Sequence, residues 1–187
     1  MRIISGNLRG KNIFFLKSLT TRPLKDSVKE NIFNILTHSN LLNVNIKNAN
    51  ILDLYSGIGS FGLECISRGA KKIIFIEKEK KIAEILKKNL LNLDIKDKAT
   101  IIVDEIKNFL EKQQTQKFDI IIFDPPFAEK GYFQELKKIK QKNISKKNHI
   151  VIIHRESKSS ENLKNILNPL IIKKYGRSKI IFGNLLG

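Results

Sequence analysis

Residues 50–62 read NILDLYSGIGSFG, a short apolar strand that carries an acidic residue near its end and runs into a glycine-rich turn. The apolar residues up to Leu54 predict a buried strand, and the G-x-G-x-x-G spacing of Gly57, Gly59 and Gly62 predicts a turn into a helix. Dinucleotide sites share this spacing, so it does not by itself identify a ligand. It does favour an α/β fold, in which ligands bind at the carboxyl ends of parallel strands.

Downstream of this stretch, apolar runs alternate with segments of helical periodicity. The predicted strands are residues 50–54, 72–76, 100–103, 118–123 and 149–153. The predicted helices are residues 60–68, 79–91, 105–112 and 131–140, followed by a closing hairpin of residues 170–175 and 179–182. Nearly all-apolar strands joined by helices predict a Rossmann-like, mostly parallel seven-stranded sheet with helices on both faces.

The N-terminal part of the chain has a different pattern. Residues 1–17 alternate around a basic turn, which predicts a β-hairpin with Arg9 and Lys11 at its exposed tip. Pro23 suits the first position of a helix whose apolar residues recur at helical spacing, and residues 38–50, rich in Asn and Lys, predict a linker. The chain is divided accordingly into a hairpin-helix extension and a larger domain, residues 1–48 and 49–187.

The composition is strongly basic, with 35 Lys and Arg against 18 Asp and Glu and a formal net charge of +17. Such an excess predicts a polyanionic partner, nucleic acid before membrane. Only six of the basic residues are arginine, so codon bias in an AT-rich genome is a second explanation for the lysines. The single cysteine, Cys65, excludes an intrachain disulfide and favours the cytoplasm, and we expect neither a signal peptide nor a membrane span.

Acidic residues stand at the ends of the first three predicted strands. Asp53 would repel a pyrophosphate and suit a ligand that carries an ammonium group, such as S-adenosylmethionine. Glu77 can accept from ribose hydroxyls, and Asp104 from the 6-amino group of adenine. Plainer roles also fit: a loop cap for Asp53, a solvated partner of nearby lysines for Glu77 and a helix N-cap for Asp104. The predicted cofactor-binding residues are Asp53, Ser56, Gly57, Gly59, Glu77 and Asp104.

The fourth predicted strand ends in Asp124-Pro-Pro-Phe127, the strongest motif in the chain. Two prolines fix the backbone and remove two N–H donors, which is expected to leave bare carbonyls. Asp124 and the carbonyl of Pro125 can accept the two N–H bonds of an exocyclic amine, and Phe127 can stack on the base. These three residues are the predicted catalytic residues. The alternative is a rigid turn packed by Phe127.

Residues 53–59, Glu77 and the Asp124 motif resemble those of class I S-adenosylmethionine-dependent methyltransferases that act on amino nitrogens. Further stretches narrow the resemblance to the RsmD family, bacterial methyltransferases of guanine N2 in 16S ribosomal RNA. These stretches are Met1-Arg-Ile-Ile-Ser-Gly6, Thr21-Arg-Pro23 and Tyr175-Gly-Arg-Ser178. The resemblance covers essentially the whole chain and implies the class I methyltransferase fold, S-adenosylmethionine as cofactor and 16S rRNA of an assembling small ribosomal subunit as substrate.

Arg9, Lys11 and Arg22 are the predicted RNA contacts, although Arg22 could instead hold the carboxylate of the cofactor. No metal is expected, because the three histidines and Cys65 lack ligand spacing. We expect a cytoplasmic monomer without membrane contact. The alternative functions are an adenine-N6 methyltransferase acting on DNA or RNA, an NAD-dependent oxidoreductase and a catalytically silent ribosome-assembly factor.

Overall fold

The computed structural model describes residues 1–15, 24–160 and 162–187. Its helices are α1 (Asp26–His38), α2 (Ser60–Ser67), α3 (Lys80–Asn92), α4 (Ile106–Glu111) and α5 (Tyr132–Lys142), with a 3₁₀ turn at Lys96–Lys98. Its strands are β1 (Asn50–Leu54), β2 (Lys72–Ile76), β3 (Ala99–Ile102), β4 (Phe118–Phe123), β5 (Ser145–Glu156), β6 (Leu167–Tyr175) and β7 (Ser178–Leu185). Strands β1, β2 and β4 have the predicted bounds.

The seven strands form one sheet in the order β3-β2-β1-β4-β5-β7-β6. Strands β1 to β5 pair in parallel, whereas β7 is antiparallel to both of its neighbours. The prediction of a mostly parallel, seven-stranded, Rossmann-like sheet is therefore confirmed. The chain moves outward from β1 to β3 and returns to β4 beside β1, so the topological switch point lies between the carboxyl ends of β1 and β4.

Helices cover both faces of the sheet because successive side chains of a strand point to opposite sides. Ile51 belongs to the apolar cluster formed with α1, α2 and α3, whereas Leu52 and Leu54 belong to the cluster formed with α4 and α5. Each such buried side chain contributes about 1.5–3 kcal/mol. With both faces apolar, polar side chains of the parallel strands collect at the strand ends.

The described part of the N-terminal segment, residues 1–15, folds back on itself as a short, irregular hairpin. Arg2 and Asn12 form an antiparallel bridge, and the N–H groups of Ile3 and Ile13 donate to the carbonyls of Lys11 and Met1. The N–H groups of Ile4 and Ser5 donate to the buried carboxylate of Glu64 on α2, at 2.8 and 2.9 Å, which joins the hairpin to the helix. The turn that carries Arg9 and Lys11 is exposed, as predicted.

Two further side chains, one on α2 and one on α3, hold the N-terminal segment against these helices. The N–H of Leu8 donates to Ser67 Oγ at 2.9 Å. Asn89 of α3 accepts from the N–H of Phe14 at 2.7 Å and donates to the carbonyls of Phe14 and Ile58. Asn89 thus connects the N-terminal segment to the loop that follows β1. The division at residue 48 stays a prediction.

Three other expectations need correction or completion. Helix α1 begins at Asp26 rather than at Pro23, and Pro23 lies outside the described residues. Leu42 and Ile46 of the expected linker are buried, so this stretch packs against the core. Strand β5 continues three residues beyond the predicted end at position 153 because β7 pairs with it as far as Glu156.

Candidate active site

The loop between β1 and α2, residues 55–59, is called the glycine turn. Tyr55, Gly57 and Gly59 all have positive φ angles, of 59°, 56° and 83°. A Cβ atom at Gly59 would overlap the side chain of Leu86, whereas a Cβ at Gly57 would meet nothing within 4 Å. Gly59 is therefore required for packing on α3, while the backbone at Gly57 faces open space that a ligand can approach.

Asp53 lies beneath the glycine turn, and its residue is only 2% exposed. Its Oδ2 accepts from the N–H of Gly62 at 3.1 Å, which holds the first turn of α2. Burial raises the pKa of Asp53, and the negative charges of Asp124 and Glu77 raise it further. The structure thus displays the loop-holding role of Asp53. The predicted contact with a ligand amine stays a prediction.

Glu77 follows β2 and lies beside the glycine turn. Its Oε2 accepts from the N–H of Gly57 and its Oε1 from the N–H of Glu79, both at 2.8 Å. The carboxylate is therefore fixed by backbone donors. Asp53, Glu77 and Asp124 together give this edge of the sheet a negative potential that favours cationic ligand groups over phosphates.

Ser56 and Asp104 complete the predicted cofactor residues. Ser56 is buried in the turn, and its Oγ has no hydrogen-bond partner among the described residues. Asp104 follows β3 and accepts from the N–H of Glu105, from Asn108 and from Lys112. The hydrogen bonds from Asn108 and Lys112 lower the pKa of Asp104. These contacts match the helix-start role more closely than a free acceptor for adenine.

Residues 124–127, which follow β4, are called the acidic loop. Arg155 of β5 donates to the carbonyl of Pro126 at 3.2 Å and to the carbonyl of Phe127 at 2.9 Å. The N–H of Glu129 also donates to Pro126. The expectation of bare carbonyls is therefore wrong for Pro126 and Phe127, because an arginine supplies the donors that the prolines lack. The guanidinium of Arg155 lies 4.7 Å from the ring centre of Tyr132.

Asp124 itself contacts a second residue of β5. Its Oδ1 lies 2.6 Å from Nδ1 of His154, and Nε2 of His154 lies 2.9 Å from Oγ of Ser178 on β7. The ring of Phe127 stands edge-on to the imidazole, with 5.4 Å between ring centres. Asp124 and Phe127 thus both contact His154, a residue that the sequence analysis missed, and the catalytic role of Asp124, Pro125 and Phe127 stays a prediction.

A further contact joins the glycine turn to the helix after the acidic loop. The hydroxyl of Tyr55 donates to Oε2 of Glu135 on α5 at 2.6 Å. Burial raises the pKa of both groups. The hydrogen bond to the Glu135 carboxylate raises the pKa of Tyr55 further. The two sides of the switch point are therefore connected directly.

Two of the three predicted RNA contacts fall on described residues. Arg9 and Lys11 are exposed on the N-terminal turn, and Arg22 lies outside the described residues. Within residues 1–15, 24–160 and 162–187, no three His, Cys, Asp or Glu side chains are grouped so that they could hold a metal ion. No helix in the described ranges combines the length and the apolar character needed to span a bilayer.

Sequence comparisons extend over nearly the whole chain. Residues 1–184 match the family described as Conserved hypothetical protein 95. Ribosomal RNA small subunit methyltransferase D of Haemophilus influenzae is 36% identical over 158 residues, which cover 83% of this chain and 79% of that protein. The protein of the same name from Buchnera aphidicola subsp. Baizongia pistaciae is 30% identical and covers 99% of this chain and 90% of its own.

Solved structures agree with this relationship. The yhhF protein of Escherichia coli has a TM-score of 0.85 at 24% identity and covers 99% of this chain and 97% of its own. The HI0767 protein of Haemophilus influenzae has a TM-score of 0.78 at 31% identity, covering 99% and 98%. The fold is that of class I methyltransferases. Because one family and its named members match almost its entire length, the chain belongs to the RsmD family.

Proposed function

We propose that this chain transfers a methyl group from S-adenosylmethionine to the exocyclic N2 of a guanine in 16S ribosomal RNA. The relatives named small-subunit methyltransferase D support the reaction and the RNA. The observation that carries the amino-nitrogen target is the fixed, partly exposed carboxylate of Asp124 at the switch point of the sheet. An ionised carboxylate can only accept hydrogen bonds, so it favours a ligand group that donates them, such as an exocyclic amine.

The carboxyl edge of the sheet fits the proposed cofactor. S-Adenosylmethionine, when bound, supplies an electrophilic methyl group on a positively charged sulfur. The charges of Asp53 and Glu77 favour this cation, and the open face of Gly57 admits it. Glu77 is the proposed acceptor for ribose hydroxyls, with Ser56, Gly59 and Asp104 completing the binding residues. Asp53 acts chiefly through its charge and its hold on Gly62, because its carboxylate is buried.

The acidic loop orients the guanine amine nitrogen, which is the nucleophile. Asp124 accepts one N–H of the guanine amine through Oδ2, the Pro125 carbonyl accepts the other, and Phe127 stacks on the base. These contacts turn the nitrogen lone pair toward the methyl group and strengthen as the nitrogen becomes positive. The amine nitrogen attacks the methyl carbon, the bond from that carbon to sulfur breaks and S-adenosylhomocysteine leaves, so no covalent enzyme intermediate forms. The methylated amine then releases one proton to water.

The remaining parts of the proposal concern the partner. Arg9 and Lys11 are exposed cations on the N-terminal turn, suited to phosphate contacts, and Arg22 is proposed as a third contact. We assign the substrate to an assembling small ribosomal subunit, and hence the activity to the cytoplasm, with the enzyme acting as a monomer. Neither a metal ion nor a membrane takes part.

The test is transfer of a labelled methyl group to small ribosomal subunits that lack the modification, followed by nucleoside analysis. N2-methylguanosine supports the proposal, and subunits that already carry the modification should accept little label. N6-methyladenosine would instead identify an adenine enzyme. Absence of transfer together with saturable NADH binding would identify an oxidoreductase, and absence of both would leave an assembly factor.

A further inference from the structure

The carboxylate of Asp124 belongs to a chain of three side chains that lie on three neighbouring strands. Phe123 of β4 pairs with Ile153 of β5, so the next residues, Asp124 and His154, stand side by side. His154 pairs with Ile180 of β7, which places Ser178, two residues away, on the same face of the sheet. The contacts from carboxylate to imidazole to hydroxyl are therefore a product of the sheet register.

The hydrogen bonds define the tautomer of His154. An ionised carboxylate can only accept, so the Nδ1 atom, 2.6 Å from Asp124, must carry the proton. In the neutral ring Nε2 is then an acceptor, and the hydroxyl of Ser178 donates to it across 2.9 Å. Asp124 thus selects this tautomer, and the hydroxyl of Ser178, which can donate or accept, accommodates it.

The contacts run from aspartate to histidine to serine, as in a hydrolase triad, but here the aspartate is not buried. In such triads the aspartate is buried and the serine meets the substrate. Here the Asp124 side chain is 32% exposed and that of His154 only 10%. Ser178 is the first residue of an antiparallel strand and pairs with Tyr175 and Glu156. Part of the carboxylate is therefore open to a ligand.

We propose that His154, held by Ser178, is a positioning residue for the Asp124 carboxylate. The imidazole occupies Oδ1 and fixes the rotation of the carboxylate, which leaves Oδ2 directed to an N–H of the substrate amine. The edge-on ring of Phe127 keeps the imidazole in place, and Arg155, the next residue, holds the backbone of the acidic loop. This inference rests on the proposed function, because it assigns a role in orienting that substrate.

Two substitutions separate the two ring nitrogens. In His154→Asn the side-chain amide can stand near the position of Nδ1 and donate to Asp124, whereas in His154→Gln the amide reaches toward Ser178. We expect His154→Gln to lower kcat at least about tenfold, the size of one lost hydrogen bond to a charged group, with the Kd for S-adenosylmethionine unchanged. His154→Asn should recover most of kcat. Equal kcat in wild type and His154→Gln would overturn the proposal.

His149 provides a matched control on the same strand. Its ring nitrogens also make two contacts, with the carbonyl of Lys146 at 2.7 Å and the N–H of Leu185 at 2.9 Å, but at the opposite end of β5. We expect folded His149→Gln to keep kcat for the RNA substrate within about twofold of wild type. A loss of kcat equal to that of His154→Gln would show a general effect of strand damage and contradict a positioning role.

A measurement without substrate keeps this inference separate from the proposed function. Nitrogen-15 NMR of the histidine side chains should show His154 with Nδ1 protonated and Nε2 bare. An Nε2-protonated ring in wild type would overturn the proposal even if methyl transfer is observed. Labelling of Ser178 by a fluorophosphonate probe would likewise overturn it, since it would make the serine a nucleophile. If no methyl transfer occurs but the Nδ1 tautomer is found, the proposed function alone fails.

Discussion

The glycine turn and the acidic loop stand on opposite sides of one switch point, yet they are held in opposite ways. At the glycine turn and the start of α2, backbone N–H groups donate to carboxylates: Gly57 to Glu77 and Gly62 to Asp53. In the acidic loop, side chains of β5 donate to the loop, Arg155 to its carbonyls and His154 to its carboxylate. The first construction concentrates negative charge beneath a ligand, whereas the second immobilises a chain that has lost its own donors to proline.

The largest expected effect concerns the acidic loop. Asp124→Asn keeps the shape of the side chain but removes its charge, so methyl transfer should fall about 10²–10³-fold, as when one polar group aimed at developing charge is removed. Binding of S-adenosylmethionine, measured by calorimetry, should persist because the glycine turn is intact. The control is Asp97→Asn at an exposed position of the 3₁₀ turn. Equal rates in both variants would contradict the assignment of Asp124.

The two glycines of the turn should respond differently to alanine. Gly59→Ala combines a positive φ with overlap against Leu86, so the free energy of unfolding should fall by about 2–4 kcal/mol. Gly57→Ala meets open space and should cost only about 1–2 kcal/mol from the backbone conformation. Affinity for S-adenosylmethionine should nevertheless fall in folded Gly57→Ala, because the new methyl group stands where the ligand approaches. Chemical denaturation and calorimetry measure the two effects, and a larger stability loss at Gly57 would reverse this interpretation.

Arg155→Lys tests how the acidic loop is held. Lysine keeps the charge but cannot reach both carbonyls with a planar fork, so one hydrogen bond to Pro126 or Phe127 is lost. We expect kcat to fall about tenfold with cofactor affinity unchanged. Arg177→Lys, at an exposed position of the β6–β7 turn, is the matched control and should retain wild-type kcat. A shift in cofactor affinity rather than in kcat would contradict this role and would connect Arg155 with the glycine turn instead.

The smallest effect is expected at Asp53. Burial raises its pKa in the folded state, so stability is greatest below the ordinary aspartate pKa and declines as pH rises through the raised value. Asp53→Asn removes this loss while its amide oxygen can still accept from Gly62. Relative to wild type, the variant should gain stability as pH increases, and its affinity for S-adenosylmethionine should weaken. Parallel stability curves across pH for the two proteins would rule out a raised pKa of Asp53.

The same contrast explains what the sequence could predict. Asp53, Glu77 and Asp124 were found because each terminates an apolar strand, and parallel strands end at one edge of a sheet. His154 was missed because the predicted strand stopped at Ile153, just before the first polar residue. His154 is buried where β5 pairs with β7, and its partner on β7, Ser178, lies 24 positions further along the chain. Contacts that depend on which distant strand lies beside another are not written in local periodicity.

The contact of Tyr55 with Glu135 illustrates the same limit. The two residues are 80 positions apart, and each sits in a stretch with its own local pattern. Tyr55 lies between the first predicted strand and Gly57, and Glu135 lies in the predicted helix of residues 131–140. Their pairing follows from the β1–β4 adjacency in the sheet. A prediction of the sheet order is therefore the step that would have exposed this contact.

Glu64 limits how the N-terminal segment can be exchanged. Its carboxylate is fully enclosed and accepts from Ile4, Ser5 and Arg68. Deleting the first fifteen residues would strip two amide donors from an enclosed anion, at a cost of several kcal/mol. A chimera that grafts a foreign recognition segment onto this scaffold must therefore restore both donors or replace Glu64 with an uncharged residue.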